Sequence, residues 1–362
     1  MRVLIAPDSF GETLTAVEAA EAMAAGWSGA RPDDIVVLAP QSDGGPGFAD
    51  VISATTGGMR TSRVAGPLGR PTEARWVLAD GAAYIESAQA VGLGLLDGPP
   101  TRTTSLEAHS RGVGELIGAA LDAGARKVVV GLGGSCCTDG GRGMIAALGG
   151  LDRSRERLRG VALVAATDVE HPLLGEHGAA WVFGPQKGAD PSTIEILEQR
   201  NAAWADELER VCGRPVAELP GAGAAGGLGA ALLALGAARA SGAEVVAACT
   251  GQAGQLAEAD LVVTGEGRFD HQSLRGKLVT SLAAAARRRG VPTVVLAGQV
   301  ALDRDTTRGA GIAAAFSVAE FAGSVERAMA DAPGRLEALT SCVADGWRGG
   351  PGPARSGPIH EE

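Results

Sequence analysis

Short apolar runs rich in β-branched residues alternate with alanine-rich stretches along most of this chain, predicting an α/β fold of βαβ units around a mainly parallel sheet. Arg2 to Ala6 reads as the first strand, Ala16 to Trp27 as a helix behind a Thr15 N-cap, and Ile35 to Ala39 as the second strand. Further strands are expected at Lys127 to Gly131, Leu163 to Thr167, Leu261 to Thr264, Thr293 to Ala297 and Ala314 to Val318. Helices are expected at Gly114 to Ala123, Pro191 to Val211, Gly226 to Ala238, Leu278 to Arg289 and Val325 to Ala338. Aromatic residues make up only 3% of the chain while glycines number 55. The core must therefore rest on Ala, Val and Leu, with many tight turns and close backbone approaches.

At 362 residues the chain exceeds the roughly 250–300 at which single cores stop growing, so two domains are expected. The stretch from Pro67 to Ser87 departs from the βαβ rhythm and alternates as antiparallel hairpin strands do. Regular strand–helix alternation returns near Ala259. This predicts a first domain of residues 1–63 plus 253–347, with a second α/β domain, 64–252, inserted into it. Residues 348–362 lack an apolar period and read as a disordered tail.

The formal net charge is -10 and no basic cluster stands out, which argues against nucleic acid as a partner. Five scattered cysteines without a C-x-x-C pair suggest neither a disulfide framework nor a zinc site. The apolar run at the start ends at Pro7, too short for a signal or membrane segment. The reading is a cytoplasmic protein, off the membrane, monomeric or homodimeric, acting on small molecules.

Several Gly-rich turns carrying hydroxyls and carboxylates directly follow expected strands, where open α/β sheets bind ligands. After the first strand, Asp8 could hold Mg²⁺ or receive a proton, and Ser9 could hold a phosphate or carboxylate oxygen. After the second, Asp43 stands beside the exposed amides of Gly44 and Gly45. The run Gly131 to Gly141 has the build of an anion cradle, with Gly133, Gly134, Ser135, Thr138 and Asp139 as the phosphate-binding candidates. Its Cys136 and Cys137, with no histidine nearby, read as packing residues. Asp168 follows another strand as a metal or base candidate, and Lys187 is a phosphate candidate. Glu266 and Asp270, with Arg268 and Lys277, could position Mg²⁺ and neutralise a transferring phosphoryl group. Two formal matches are discounted. Gly221 to Gly226 spells G-x-G-x-x-G without a preceding strand, and Gly276-Lys277 lacks the rest of a P-loop.

In order along the chain, Ile5-Ala-Pro-Asp-Ser-Phe10, Ser42-Asp-Gly-Gly45, Gly66-Pro-Leu-Gly69, Gly112-Val-Gly-Glu-Leu116, Gly131-Leu-Gly-Gly-Ser135, Val182 to Gly188, Gly221 to Gly227, Thr264 to Asp270, Gly276-Lys277 and Phe316-Ser-Val318 form a series. The series resembles the bacterial glycerate kinase family of the two-domain type I class, from residue 2 to about 343. The resemblance implies a flavodoxin-like domain joined to a second α/β domain. It also implies phosphorylation of D-glycerate, usually on the 2-hydroxyl, by ATP with Mg²⁺ in the interdomain cleft. On that reading Asp43, Asp168 and Lys277 are the catalytic candidates, with Asp43 and Asp168 on the metal. Asp8, Ser9, Glu266, Arg268 and Asp270 would serve the substrate. Gly44, Gly45, Gly133, Gly134, Ser135, Thr138, Asp139 and Lys187 would serve the nucleotide phosphates. The chain departs from the family pattern at Gly11, where members carry Lys, and at Pro46, where they carry an acid. Departures also occur at Ala108 and at Thr138, where members carry Asn. These keep open the alternative of a non-catalytic or altered-substrate member that binds a hydroxy acid or nucleotide.

Overall fold

A computed structural model describes residues 1–11, 13–274 and 278–347. The expected tail and the expected roles of Gly276 and Lys277 lie outside the described residues. Among those described, the strands are β1 (Arg2–Ile5), β2 (Ile35–Leu38), β3 (Met59–Ala65), β4 (Pro71–Ala79), β5 (Ala82–Glu86), β6 (Lys127–Gly131), β7 (Ala162–Ala166), β8 (Ala238–Ala240), β9 (Leu261–Thr264), β10 (Arg268–Phe269), β11 (Thr293–Ala297), β12 (Gln299–Val300) and β13 (Ala314–Ser317). They divide between two compact units, one of Met1–Gln41 with the chain from Thr250 on, the other of Ser42–Cys249. The first crossing thus follows Gln41 rather than residue 63. The reason is β3, which pairs antiparallel with β4 from Met59 opposite Val77 to Ala65 opposite Pro71 and so belongs to the second unit.

The first unit is a five-stranded parallel sheet in the order β2-β1-β9-β11-β13. Counted within the unit this is 2-1-3-4-5, the flavodoxin-like order, which reverses direction between β1 and β9. The loops after those two strands therefore open on one crevice. The central strands β9 and β11 are buried at every residue and read as continuous apolar runs, as strands covered on both faces must. The edge strand β2 instead leaves Ile35 and Leu38 exposed.

Helix Ala16–Ala30 begins with a reciprocal capping box between Thr15 and Glu18 and runs a turn beyond Trp27. The single helix expected from Val325 to Ala338 is two, Val325–Ala330 and Ala332–Gly346. Asp331 breaks the run, its carboxylate accepting from Gly334 N at 3.3 Å, and Pro333 occupies the first turn of the second helix. That helix crosses Ala16–Ala30 at Gly26, where an added Cβ would strike the Glu337 carbonyl and come within 3.0 Å of Thr340 Cβ.

The second unit is a six-stranded sheet in the order β3-β4-β5-β6-β7-β8, antiparallel through β5 and parallel beyond it. The expected hairpin is β4 and β5, turning at Asp80 and Gly81, both with positive φ. At the end of β5 the Glu86 carboxylate is buried under the start of helix Phe48–Thr56. It accepts from Gly47 N at 3.1 Å and Ala49 N at 3.2 Å, satisfying amides that the helix itself cannot. Burial outweighs these bonds and pushes the acid up to about 7. No helix of the described residues is long and apolar enough to cross a membrane.

Two outcomes follow for stability. Gly26→Val should cost about 2 kcal/mol by overpacking the helix crossing, whereas Gly29→Ala, with open space around it, should be neutral or slightly stabilising in thermal melts. Because Glu86 binds its proton more tightly folded than unfolded, its contribution is full below about pH 4.5 and is lost as pH rises to about 7. The total change is on the order of 3 kcal/mol. Glu86→Gln should flatten that fall and be at least as stable as the parent at pH 8; an unchanged pH profile would refute the assignment.

Candidate active site

In the second unit the loop Ser42 to Gly47 folds back on its own side chains. Gly44 N donates to Ser42 Oγ at 3.2 Å and Gly45 N to Asp43 Oδ1 at 3.0 Å, leaving Asp43 exposed at the tip. The loop lies backbone against backbone on the loop following β6, with Gly133 N donating to the Gly44 carbonyl at 3.1 Å. A Cβ on Gly131 would come within 2.6 Å of Gly44 O, and one on Gly133 within 2.9 Å of Gly45 N. Pro46 packs over Gly134, whose φ of 72° and contact at 2.8 Å both exclude a side chain. On the opposite side a Cβ on Gly242 would collide with the Asp43 carbonyl.

Asp168 sits just past the end of β7 with an open face to solvent. Desolvation by the surrounding chain raises its pKa, and the nearby Asp43 carboxylate adds to the rise, against hydrogen bonds from Ser241 and the Ala243 amide. The structure therefore brings Asp43 and Asp168 into one electrostatic neighbourhood. Nothing in the sequence marks Ser241 and Gly242 as neighbours of this pair, since a small-residue pair after a short strand looks like any turn.

Two side chains of the Gly131 to Gly141 loop, Ser135 and Asp139, are committed inside the protein. Asp139 accepts from Ser110 N and Ser110 Oγ, each at 2.8 Å, and from Gly141 N at 3.1 Å and Gly143 N at 3.0 Å. It thereby ties the start of helix Arg142–Ala147 to Ser110. Lys187 is buried and donates to Ser135 Oγ at 3.0 Å and the Cys137 carbonyl at 2.7 Å, with its pKa lowered by that burial. Thr138 is buried as well, and burial raises the thiol pKa of both Cys136 and Cys137. The amides of Cys136 and Gly140 donate to the carbonyls of Val91 and Gly226. Asp139 and Lys187 thus brace the loop from within, while Thr138 Oγ1 is buried without a hydrogen-bond partner among the described residues.

In the first unit Asp8, Ser9, Glu266 and Arg268 come together around one cavity of about 510 Å³. Asp8 N bonds the Gly265 carbonyl at 2.8 Å, stitching the loop after β1 to the loop after β9, and Asp8 Oδ1 accepts from Ser9 N at 2.7 Å. The exposed Arg268 guanidinium is steered by Asp270 Oδ2 at 3.1 Å and Gln299 Oε1 at 3.3 Å. Asp270 is held below the usual carboxylate range, first by the Gln272 amide and then by Arg268. It lies outside the cavity lining and acts on Arg268. Gln299 was not foreseen, because a lone Gln after a strand carries no motif.

The glycerate kinase family model matches residues 3–156 and 150–348. A protein of Mycobacterium tuberculosis described as uncharacterised is 59% identical over 346 residues, covering 95% of this chain and 91% of the relative. The glycerate 2-kinase of Escherichia coli is 38% identical over 359 residues, covering 91% and 93% respectively. Among solved structures, one assigned as a glycerate kinase 2 from Salmonella typhimurium aligns with a TM-score of 0.78 at 35% identity, covering 95% of this chain and 97% of that one. The order of glycine loops, the two α/β units and these matches lead to one assignment: the chain belongs to the glycerate kinase family.

Proposed function

We propose that this chain phosphorylates D-glycerate on its 2-hydroxyl, using ATP with Mg²⁺. Family membership supplies the reaction class, and the observation in this chain that supports it most is the Asp43 and Asp168 pair. Two neighbouring exposed carboxylates, one at a loop tip and one whose pKa the other helps to raise, suit a hard cation that takes one or two carboxylates and keeps waters. They fit Mg²⁺, which when bound neutralises charge on the nucleotide phosphates.

Asp43 is assigned to the metal, and Asp168, whose proton affinity is raised by its surroundings, to holding the proton leaving the substrate hydroxyl. Arg268, oriented by Asp270 and Gln299, supplies positive charge to an anionic group. Lys187 and Asp139 act through the loop they brace. Pro46 occupies the place of the family's acidic residue without disturbing the loop, since Gly134 accommodates its ring. Lys277 remains a proposed phosphate contact.

Phosphoryl transfer depends chiefly on positioning and charge stabilisation. Asp43→Asn should therefore lower kcat for D-glycerate-dependent ADP release by about 10²-fold or more, with the melting temperature unchanged. Near-normal turnover would remove Asp43 from the machinery. Analysis of the product should find the phosphate on the 2-hydroxyl, and a 3-phosphate would overturn the regiochemistry.

A further inference from the structure

The cavity of the first unit is larger and less polar than a three-carbon hydroxy acid requires. Its volume of about 510 Å³ lies in the roughly 300–1,000 Å³ range of sites for drug-sized ligands and cofactors. Its two sides differ in chemistry. Asp8 and Ser9 come from the loop after β1, Arg268 from β10 and Gln299 from β12. Facing them is an apolar wall from the two C-terminal helices, including Val325, Ala328, Met329 and Leu336.

Met329 is 59% exposed and Val325 36%, and four-residue spacing puts both on one helix face. Exposed large apolar side chains lining a cavity mark a surface meant to be covered. Glycerate, with a carboxylate and two hydroxyls on three carbons, has almost nothing apolar to cover it with. A nucleoside has a flat aromatic base for such a wall and a hydroxylated sugar for the polar side. The position agrees: the crevice at the carboxyl ends of β1 and β9 is the switch point of a 2-1-3-4-5 sheet, where such sheets bind nucleotide-like cofactors.

We propose that this cavity takes the nucleoside of the phosphate donor, its base against Val325, Met329 and Leu336 and its sugar and phosphates toward Ser9 and Arg268. The inference rests on the kinase reading for the identity of the donor. It places the nucleoside in the first unit rather than at the Gly131 to Asp139 loop. Ser9 and Arg268 then serve the donor.

The test uses the full chain labelled with ¹³C at its five methionine methyl groups. The Met329 resonance is assigned from Met329→Leu. Adenosine should shift that resonance while D-glycerate leaves it in place. Met329→Glu, a change at an exposed position, should weaken adenosine binding at least ten-fold with the melting temperature unchanged. A Met329 response to D-glycerate but not to adenosine would overturn the proposal, as would adenosine binding with no Met329 response, or no adenosine binding at all. A Met329 response to adenosine in a chain that shows no D-glycerate-dependent ADP release would refute the kinase reading and leave the nucleoside site standing.

Discussion

The contact that organises the loops of the second unit is between two stretches of bare backbone. The Gly44–Gly45 turn lies on Gly131–Gly133 too closely for a Cβ on the β6 loop, and one hydrogen bond, Gly133 N to Gly44 O, sets the register. Three buried or part-buried polar side chains nearby brace the segments that make that contact. Lys187 fixes the β6 loop through Ser135 and the Cys137 carbonyl, Asp139 ties the far end of the loop to Ser110, and Glu86 anchors the helix that follows Asp43. Asp43 is thus an exposed carboxylate on a rigid base, as the metal role proposed for it requires.

The first unit solves a different problem with the same sheet logic. A reversal of strand order between the parallel neighbours β1 and β9 opens a crevice, and the bond from Asp8 N to Gly265 O draws the two loop starts together. The break at Asp331 gives two short helices in place of one, and both contribute apolar residues to the cavity wall.

Much of the scaffold was legible in the sequence because buried parallel strands leave an unmistakable mark. The runs Lys127 to Gly131, Leu261 to Thr264 and Thr293 to Ala297 are strands at just those residues. β3 escaped because Met59 to Ala65 alternates with charged residues and carries no continuous apolar run. That omission displaced the expected domain crossing. Which polar residues follow strands was equally legible. What each one does was not, because glycine spacing alone cannot distinguish an anion cradle from a close approach of two backbones. Asp139 and Lys187, read from the sequence as phosphate candidates, each bond within the second unit, to Ser110 and to the Cys137 carbonyl, partners that lie far away in sequence.

The most direct measurement of this account is D-glycerate-dependent ADP release by Gly133→Ala, compared with Gly94→Ala, a position with open space around it. One methyl group at residue 133 must push the Gly45 backbone away and displace Asp43, so kcat should fall by about 10²-fold while the chain stays folded. Gly94→Ala should retain parental turnover. Parental turnover in Gly133→Ala as well would contradict the claim that the backbone contact positions the reacting centre.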